Sequence, residues 1–277
     1  HPASSLGAMS FPLPSALSPS KVSSFKDCAL AFRFSAIDRL PEPPSPWTVK
    51  GNLVHRAPEQ LFWLVPAGER TLEVGLEQLD RAWESPEEGP ELAALGLTST
   101  DAEQLRADTE QLVRGYFELE DPNLVTAVGV ELALEADMGD LRLRGVIDRL
   151  DIDRDGRLVV TDYKTGRVPG QAQEQLRLAG VHFYAFLCEQ VLGERPARVQ
   201  LLYLREPLSI STIPSDQSMK GLRRRTSAIW SAIERACRDE DFRPKPSALC
   251  EYCNWQEYCP AFGGDPARAS ASQPTLV

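Results

Sequence analysis

Residues 124–164 alternate between apolar and polar side chains with a period of two, a pattern that predicts consecutive β-strands. Polar turns at DMGD and DRDG divide the pattern, so the second and third strands are expected to form a hairpin. The predicted strands are LVTAVGVELALEA (124–136), LRLRGVIDRLDI (141–152) and RLVVTDYK (157–164).

Apolar residues recur at helical spacing over most of the remaining chain. The first predicted helix lies in SPSKVSSFKDCALAFRF, with Ser18 as its N-cap and Pro19 at its first position. Thr100 and Glu103 form a capping-box pattern ahead of another helix. Further helices are predicted in residues 51–64, over most of 67–121, and in 171–192 and 216–238, with one more strand in 197–204. This order of elements predicts an α+β or three-layer α/β fold with a small mixed sheet flanked by helices.

The composition is that of a soluble globular protein, with 277 residues of which 42% are hydrophobic. The chain contains no apolar run long enough to span a bilayer, and no membrane association is expected. The opening HPASSLGAM lacks the features of a signal peptide, so we expect residues 1–17 to be a tag remnant and a disordered leader. Residues 263–277 are expected to be a disordered tail, which leaves 18–262 as the folded domain.

The formal net charge of −10 argues against a generally basic nucleic-acid-binding surface. The charge is concentrated, however, in one predicted helical segment. Residues 57–123 carry sixteen acidic and four basic residues, a net charge of −12, whereas residues 1–56 sum to +3 and 124–277 to −1. The acidity therefore describes the middle segment and not the rest of the surface.

Six cysteines without a secretory signal indicate a reducing compartment, the cytoplasm, and argue against a disulfide framework. Cys28 stands alone near the N-terminus, whereas Cys250, Cys253 and Cys259 cluster within residues 239–262. The remaining two, Cys188 and Cys237, are expected to pack as small apolar side chains.

The stretch DIDRDGRLVVTD (151–162) resembles an EF-hand calcium loop in the spacing of its acidic residues. An EF-hand needs a helix on each side of the loop, whereas these flanks predict a strand and a turn. A hairpin with its tip at DRDG explains Asp151, Asp153 and Asp155 as strand-end and turn residues. Asp162 is the one acidic residue of the stretch that is left for other chemistry.

Alternate side chains of the predicted hairpin share a face. Arg142, Arg144 and Asp148 share one face of the second strand, and Asp162 and Lys164 share one face of the third. Two carboxylates beside an ammonium are costly in a buried hairpin unless they bind something, and a divalent cation would remove their repulsion. On the residues alone, the alternative remains open that both aspartates are turn residues and that the lysine is solvated.

Three motifs resemble those of the PD-(D/E)XK nuclease superfamily, and within it the RecB-like nucleases. GVIDRLD and VVTDYKTG resemble the paired metal motifs of that family, and GNLVHR (51–56) resembles its upstream histidine motif. The resemblance covers residues 18–262 in blocks and is weakest over 57–123. It implies a restriction-endonuclease-like core with a helical insertion.

The resemblance implies that Asp148, Asp162 and His55 bind Mg²⁺ or Mn²⁺, with the Tyr163 carbonyl as a further ligand. Lys164 would then orient a water molecule or stabilise developing charge. Arg142 and Arg144 are candidates for phosphate contacts, or else ordinary surface arginines. The remaining candidate substrate contacts are Glu131, Tyr184 and Gln175. The family's usual glutamine position before this tyrosine reads Gly180 here, so Gln171, Gln173 or Gln175 would have to replace it.

Cys28 followed by Cys250-x₂-Cys253-x₅-Cys259 is similar to the spacing in RecB-like nucleases that carry a [4Fe–4S] cluster, such as the AddB subunit and the CRISPR-associated four-cysteine exonucleases. Ala29 departs from that pattern, because proline is common after the first cysteine. Four thiolates also suit structural zinc, but ligands split between the two chain ends favour the cluster. The cluster would close a loop of more than 200 residues.

The resemblance thus implies a metal-dependent DNA nuclease, expected to be an exonuclease on single strands or ends, with repair or recombination proteins as partners. The main rival is a non-catalytic DNA-binding module or a subunit of a larger recombination complex with the same fold. The intact Asp148, Asp162 and Lys164 argue against that rival. A calcium- or zinc-stabilised interaction protein is a third class.

Overall fold

The computed structural model describes residues 11–271, without the side chains of residues 171–179, 270 and 271. The helices in chain order are α1 (Pro19–Asp27), α2 (Ala29–Phe32), α3 (Pro46–Leu64), α4 (Leu72–Trp83), α5 (Gly89–Ala94), α6 (Ser99–Leu119), α7 (Gln171–Val191), α8 (Asp216–Asp239) and α9 (Ala267–Ala271). A π-helical turn, Arg33–Ile37, follows α2, and 3₁₀ turns occupy Pro122–Leu124, Ala248–Tyr252, Gln256–Tyr258 and Pro260–Phe262.

The strands form a mixed sheet in the order β1-β2-β3-β4-β5. Their ranges are β1 (Thr126–Met138), β2 (Leu141–Ile152), β3 (Leu158–Lys164), β4 (Arg198–Tyr203) and β5 (Leu208–Thr212). Strand β3 runs parallel to β4, whereas β2 pairs with β3 and β4 with β5 in antiparallel fashion. The predicted fold class, a small mixed sheet flanked by helices, is confirmed. Strand β5 was not predicted from the sequence.

The described chain divides into two compact units. The first unit contains residues 11–43, 137–144 and 220–271, and the second contains 44–136 and 145–219. The tip of the β1–β2 hairpin thus belongs to the first unit, and the body of the sheet to the second.

The core of the second unit joins α3 and α6 to the sheet. A buried cluster contains Val54, Leu61, Phe62, Leu112, Tyr116, Tyr163, Leu202 and Leu204. A neighbouring cluster packs α3 against α4 and α6 through Val49, Leu53, Ala57, Leu79, Ala82 and Val113. Because α3 contributes to both clusters, the helix that carries His55 is fixed against the strands.

Helices α3 and α6 begin earlier than predicted, because residues earlier in the chain cap them. Helix α3 begins five residues before the predicted start, where the Ser45 hydroxyl accepts a hydrogen bond from the Thr48 N–H at 3.1 Å. Helix α6 is capped by Thr98, whose hydroxyl accepts from the Asp101 N–H at 3.2 Å. The capping box predicted at Thr100 and Glu103 is therefore wrong.

In the first unit, the predicted single helix of residues 18–34 is broken at Cys28. Ser18 caps α1 as predicted, but Cys28 is extended, with φ −159° and ψ 113°, and separates α1 from α2. The Phe25 and Phe32 rings still pack edge to face, with centroids 5.2 Å apart. The break turns the chain while the apolar face continues across it.

Two segments expected to be disordered are partly ordered. The Leu17 N–H donates to the Arg142 carbonyl at 2.9 Å, and the Arg144 N–H donates to the Leu17 carbonyl at 2.8 Å. Leu17 is also fully buried, so the end of the predicted leader is part of the fold. In the predicted tail, α9 forms and Ala269 is buried. Residues 1–10 and 272–277 lie outside the described residues.

None of the described helices has both the length and the hydropathy that a membrane-spanning segment needs.

Candidate active site

The β2–β3 hairpin opens at the position of Asp148. Its ladder runs from the Ile152/Leu158 pair to the Arg149/Thr161 pair. Beyond that pair, the Tyr163 N–H donates to the Asp148 Oδ2 at 2.7 Å. Since the N–H and C=O of one strand residue point to the same side, the Tyr163 carbonyl also lies on the Asp148 side. The register therefore places the predicted carbonyl ligand beside the predicted carboxylate ligand.

His55 reaches this opening from α3. Its Nδ1 lies 3.5 Å from the Asp148 Oδ2, and its ring packs edge to face on Tyr163 with centroids 6.0 Å apart. Burial opposes protonation of the imidazole, but the Asp148 hydrogen bond and the charges of Asp148, Asp162 and Glu131 prevail and raise the pKa of His55. The surroundings of the ring are thus strongly anionic, which favours cation binding.

Glu131 enters the site from an irregular point in β1. Its φ of 44° lies in the left-handed region, where a side chain other than glycine is strained. Partial removal from water and the negative charge of Asp148 raise the pKa of its carboxyl to about 7, against opposition from His55. The irregular backbone therefore adds a third acidic group to the site. The neighbouring carboxylates disfavour the negative charge of this group unless a cation is present.

The group formed by His55, Glu131 and Asp148 fits a divalent cation. One ligand atom from each lies within 4.8 Å of the other two. Octahedral Mg²⁺ with ligand distances of about 2.1 Å places its ligand atoms about 3.0–4.2 Å apart, so small side-chain adjustments suffice. Oxygen donors with one imidazole suit Mg²⁺ or Mn²⁺.

Asp162 and Lys164 share a face of β3, as the sequence predicts, and form an ion pair between Oδ2 and Nζ. Asp162 is 5% exposed, and burial raises its pKa although Lys164 opposes the rise. Burial likewise opposes the charge on Lys164, but the Asp162 carboxylate prevails and raises the pKa of the ammonium. The charge of Asp148 acts on both groups, which places the pair next to the cation-binding group.

Tyr184 on α7 packs against β2 at Gly145. Burial and then the charges of Asp162, Asp148 and Glu131 raise the pKa of its phenol well above the usual range. A Cβ at Gly145 would stand 3.0 Å from the Tyr184 Cε1, so glycine permits this close approach of ring and strand. The side chains of Gln171, Gln173 and Gln175 lie outside the described residues, and their predicted contact stays a prediction.

The two arginines predicted to contact phosphate lie on β2 in the first unit. Arg142 is paired with Asp137, at 3.1 Å between Nε and Oδ1, and Arg144 is exposed. Both side chains lie on the exposed face of the strand, in agreement with the predicted alternation. Their role in phosphate binding stays a prediction.

Sequence reasoning missed a buried ion network on the other face of the hairpin. Asp151, predicted as a strand-end residue, accepts two hydrogen bonds from the Arg149 guanidinium, at 2.7 and 3.0 Å. The guanidinium also donates to the Tyr163 hydroxyl at 2.8 Å and to Glu120. Arg149 and Asp151 stand two residues apart on one face of a strand, and that spacing is the signal that could have revealed the pair.

The DRDG tip forms the predicted hairpin turn and not a calcium loop. The Asp153 carboxylate accepts hydrogen bonds from the N–H groups of Asp155 and Arg157, at 3.0 and 2.9 Å. Gly156 takes the left-handed conformation, with φ 77°. These local bonds explain the turn residues by turn chemistry.

Four cysteines line one cavity of the first unit. The cavity has a volume of about 470 Å³, and Cys28, Cys250, Cys253 and Cys259 contribute to its wall. Burial and the neighbourhood of the other three thiols raise the pKa of Cys253, against a hydrogen bond from the Trp255 backbone. The Ser247 N–H points at the Cys250 Sγ, 3.3 Å away. Nearby, the Lys245 ammonium donates to the Lys26 carbonyl at 2.9 Å.

Two kinds of metal group use a ligand set of four cysteines. Tetrahedral zinc takes four thiolates through Zn–S bonds of about 2.3 Å. A polynuclear iron–sulfur cluster also takes four thiolates and is larger than a single ion. Four thiolates around one cavity therefore suit either group.

The chain is similar to known proteins at the level of family and fold. A family model of the PD-(D/E)XK nuclease superfamily matches residues 16–260. The crystal structure of a protein named "Putative exonuclease" from Eubacterium rectale is similar, with a TM-score of 0.50 and 12% identity over 87% of this chain and 93% of that chain. The structure of SSO0001 has a TM-score of 0.34 and 17% identity over 77% of this chain and 85% of that chain. No curated protein matches significantly.

Proposed function

Because the chain belongs to the PD-(D/E)XK nuclease superfamily, we propose that it is a divalent-metal-dependent DNA nuclease, an exonuclease on single strands or strand ends. The observation that carries the proposal is the convergence of His55, Glu131 and Asp148 beside the Asp162–Lys164 ion pair. Phosphodiester hydrolysis needs both anionic donors for a cation and a group that stabilises new negative charge. The name of the Eubacterium rectale protein supports the exonuclease assignment.

The residues that would hold the cation are His55, Glu131 and Asp148, with Asp162 and the Tyr163 carbonyl as the further ligands predicted from the sequence. When bound, Mg²⁺ or Mn²⁺ supplies Lewis-acid stabilisation of charge on the phosphate oxygens. The Tyr163 N–H orients Asp148, so the backbone of β3 fixes the direction of a ligand carboxylate.

Lys164 acts on the reacting phosphate in this proposal. Its side chain remains 34% exposed while its ammonium is held beside the carboxylates by Asp162. From this position the ammonium donates a hydrogen bond to a phosphate oxygen or to the attacking water. The charges of Asp162, Asp148 and Glu131 act on the Tyr184 phenol, which supports its predicted role as a substrate contact.

We further propose that the four cysteines of the first unit bind a [4Fe–4S] cluster. Cys28 lies between α1 and α2, Cys250 lies in the first 3₁₀ turn after α8, and Cys253 and Cys259 directly follow 3₁₀ turns. When bound, the cluster supplies covalent links between the first and last segments of the unit. The cavity and the split of the four ligands between two distant segments of the chain support the cluster over zinc.

The proposed setting is the cytoplasm, in DNA repair or recombination. All six cysteines are free thiols, which suits a reducing compartment. Repair or recombination proteins are the proposed partners, because end-processing nucleases act within such pathways.

The test is a cleavage assay with labelled single- and double-stranded DNA in Mn²⁺ or Mg²⁺. We expect the wild type to degrade a substrate with free ends, and Asp162→Ala and Lys164→Ala to abolish degradation while the circular dichroism spectrum stays that of the wild type. A circular single strand, which has no ends, is the control for exonuclease action. Wild-type protein that binds DNA but cuts neither substrate would favour the rival, a non-catalytic DNA-binding module.

The cysteine proposal has its own test, a visible absorption spectrum with iron, sulfide and zinc analysis of anaerobically purified protein. We expect broad absorption near 400 nm, on the order of four iron atoms per chain, as a [4Fe–4S] cluster requires. A colourless protein with one zinc per chain would overturn the cluster assignment without affecting the nuclease proposal.

A further inference from the structure

Trp47, at the start of α3, presents its ring to solvent although it is a large aromatic residue. It is 65% exposed. The Lys50 ammonium lies 4.8 Å from the centroid of the ring, and the Lys50 side chain is itself only 12% exposed. Asp108 on α6 holds that ammonium at 3.2 Å. The indole therefore rests on the ammonium of a part-buried ion pair, which fixes the plane of the ring while leaving it accessible.

Gly51 lies one helical turn after Trp47 and one turn before His55. A Cβ at this position would meet nothing within 4 Å, and the backbone has no positive φ, so neither packing nor conformation requires glycine. Glycine weakens a helix interior relative to alanine. Its effect is to leave the helix surface bare between the exposed indole and the metal-binding histidine.

Trp47, Gly51 and His55 share one side of α3, because residues four apart lie on the same helix face. The eight residues from Trp47 to His55 span about 12 Å along the helix axis, a distance that a few nucleotides of an extended strand cover. A planar aromatic group at this distance from a phosphate-cleaving centre suits an unpaired base, since bases of single strands stack on exposed aromatic side chains.

We infer that Trp47 is a stacking platform for a base of single-stranded nucleic acid and that the bare surface at Gly51 lets the strand run from it to His55. The inference rests on the proposed nuclease function and names its substrate class. It also accounts for how a chain with a net charge of −10 holds DNA. Stacking on an aromatic plane does not depend on a basic surface, unlike phosphate contacts.

The binding test measures the affinity of a fluorescent oligothymidylate by anisotropy, with no divalent metal added so that no cleavage occurs. We expect Trp47→Ala to weaken binding by about 5- to 150-fold, the range for loss of one base–aromatic stack. The matched control is Trp63→Ala on the same helix. Trp63 is 76% exposed but projects about 160° around the helix from Trp47. We expect the affinity of Trp63→Ala for oligothymidylate to be within twofold of that of the wild type.

A strand of abasic nucleotides shows whether a base is recognised. We expect the wild type and Trp47→Ala to bind that strand equally, because only the base stacks on the indole. Gly51→Leu introduces a good helix former that projects onto the bare surface. We expect it to keep the melting temperature of the wild type or raise it, and to weaken oligothymidylate binding at least tenfold.

The outcomes for this inference and for the nuclease proposal are distinguishable. Binding that depends on Trp47, without cleavage by the wild type in Mn²⁺, would reject the nuclease proposal and keep the stacking platform. Cleavage by the wild type with unchanged affinity and KM in Trp47→Ala would reject the platform and keep the nuclease. A wild type with no measurable affinity for oligothymidylate, or equal losses in the Trp47 and Trp63 variants, would also overturn the inference.

Discussion

Arg149 shows how a single buried residue supports the candidate active site from the far side of the sheet. Its side chain is 1% exposed, and its guanidinium donates to Asp151 and to the Tyr163 hydroxyl. Tyr163 in turn donates its backbone N–H to Asp148. One tyrosine thus links a buried charge on one face to a metal-ligand candidate on the other, and the position of Asp148 depends on both.

Removal of the Arg149 charge is expected to lower the free energy of unfolding far more than removal of Arg157, an exposed arginine on the same hairpin. Arg149→Met leaves the carboxylates of Asp151 and Glu120 buried without their partner, so the free energy of unfolding should fall by about 3–5 kcal/mol. Arg157 pairs with Asp153 and Asp155 but is 58% exposed, so Arg157→Met should change stability by less than about 0.5 kcal/mol. Urea unfolding of both variants measures the difference, and equal losses would contradict the argument.

The sequence could reveal the catalytic side of the hairpin more readily than the buried side. Asp148, Asp162 and Lys164 stand within motifs whose spacing carries information, and the structure brings them together as the alternation predicts. Asp151 was misread because an aspartate near a turn has an ordinary explanation in turn chemistry. Whether its partner Arg149 is buried depends on α6 and on Glu120 at its C-terminal end, which are distant in the sequence.

At the scale of elements, β2 separates two functions on its two faces. Asp148 points to the cation-binding group, and Asp151 points to the buried Arg149. The register that places one aspartate in the site also buries the other, because side chains alternate along a strand. Replacement by asparagine is therefore expected to affect metal binding at Asp148 and stability at Asp151.

Asp148→Asn is expected to lower Mn²⁺ affinity and cleavage by about 100-fold, because an anionic ligand becomes a neutral amide. Its stability should not fall, since one negative charge leaves a group that contains Glu131 and Asp162. Asp151→Asn should lower the free energy of unfolding by about 1–3 kcal/mol and leave Mn²⁺ affinity within a few fold. Calorimetric titration and urea unfolding test both variants, and a shared loss of metal affinity would refute the division.

Strand β1 contains a strained element of the site at Glu131. Its φ of 44° costs a residue with a Cβ about 1–2 kcal/mol, a cost that glycine avoids. Glu131→Gly and Glu131→Gln both remove the carboxylate, so both should weaken metal binding. Glu131→Gly alone relieves the strain and should be more stable than Glu131→Gln by about 1 kcal/mol. Thermal unfolding without metal provides the comparison, and a more stable glutamine variant would contradict it.

The elements that sequence patterns predicted well are those whose signal is local and long. Strands β1 and β2 lie within two residues of the predicted bounds because about a dozen residues of alternation leave little choice, and β3 is bounded by the turn before it. Strand β5 was missed because LSIST is short and largely polar, and it becomes a strand by pairing with β4. Likewise, no local sequence pattern predicts the extended backbone of Cys28, which divides α1 from α2.

At the scale of the whole molecule, the first unit is assembled from segments that lie far apart in the chain. Residues 11–43 and 220–271 meet in it, and the four cysteines stand in these two segments. A cluster bound there would join these two segments by covalent links. Such links restrict the unfolded chain. Within this unit the hydrogen bond from the Lys245 ammonium to the Lys26 carbonyl also joins the two segments.

Loss of one cluster ligand is therefore expected to loosen the first unit and not the sheet of the second. Cys250→Ser should abolish the visible absorption and raise hydrogen exchange in residues 220–239 of α8, while the amides of β3 keep their protection. Cys188→Ala is the matched control, since Cys188 is a fully buried thiol of the second unit. This variant should keep the absorption and the protection of α8, at a cost of about 1 kcal/mol for the small cavity. If hydrogen exchange in Cys250→Ser rose equally in β3 and α8, the prediction would be contradicted, because a cluster that stabilises only the first unit cannot affect both.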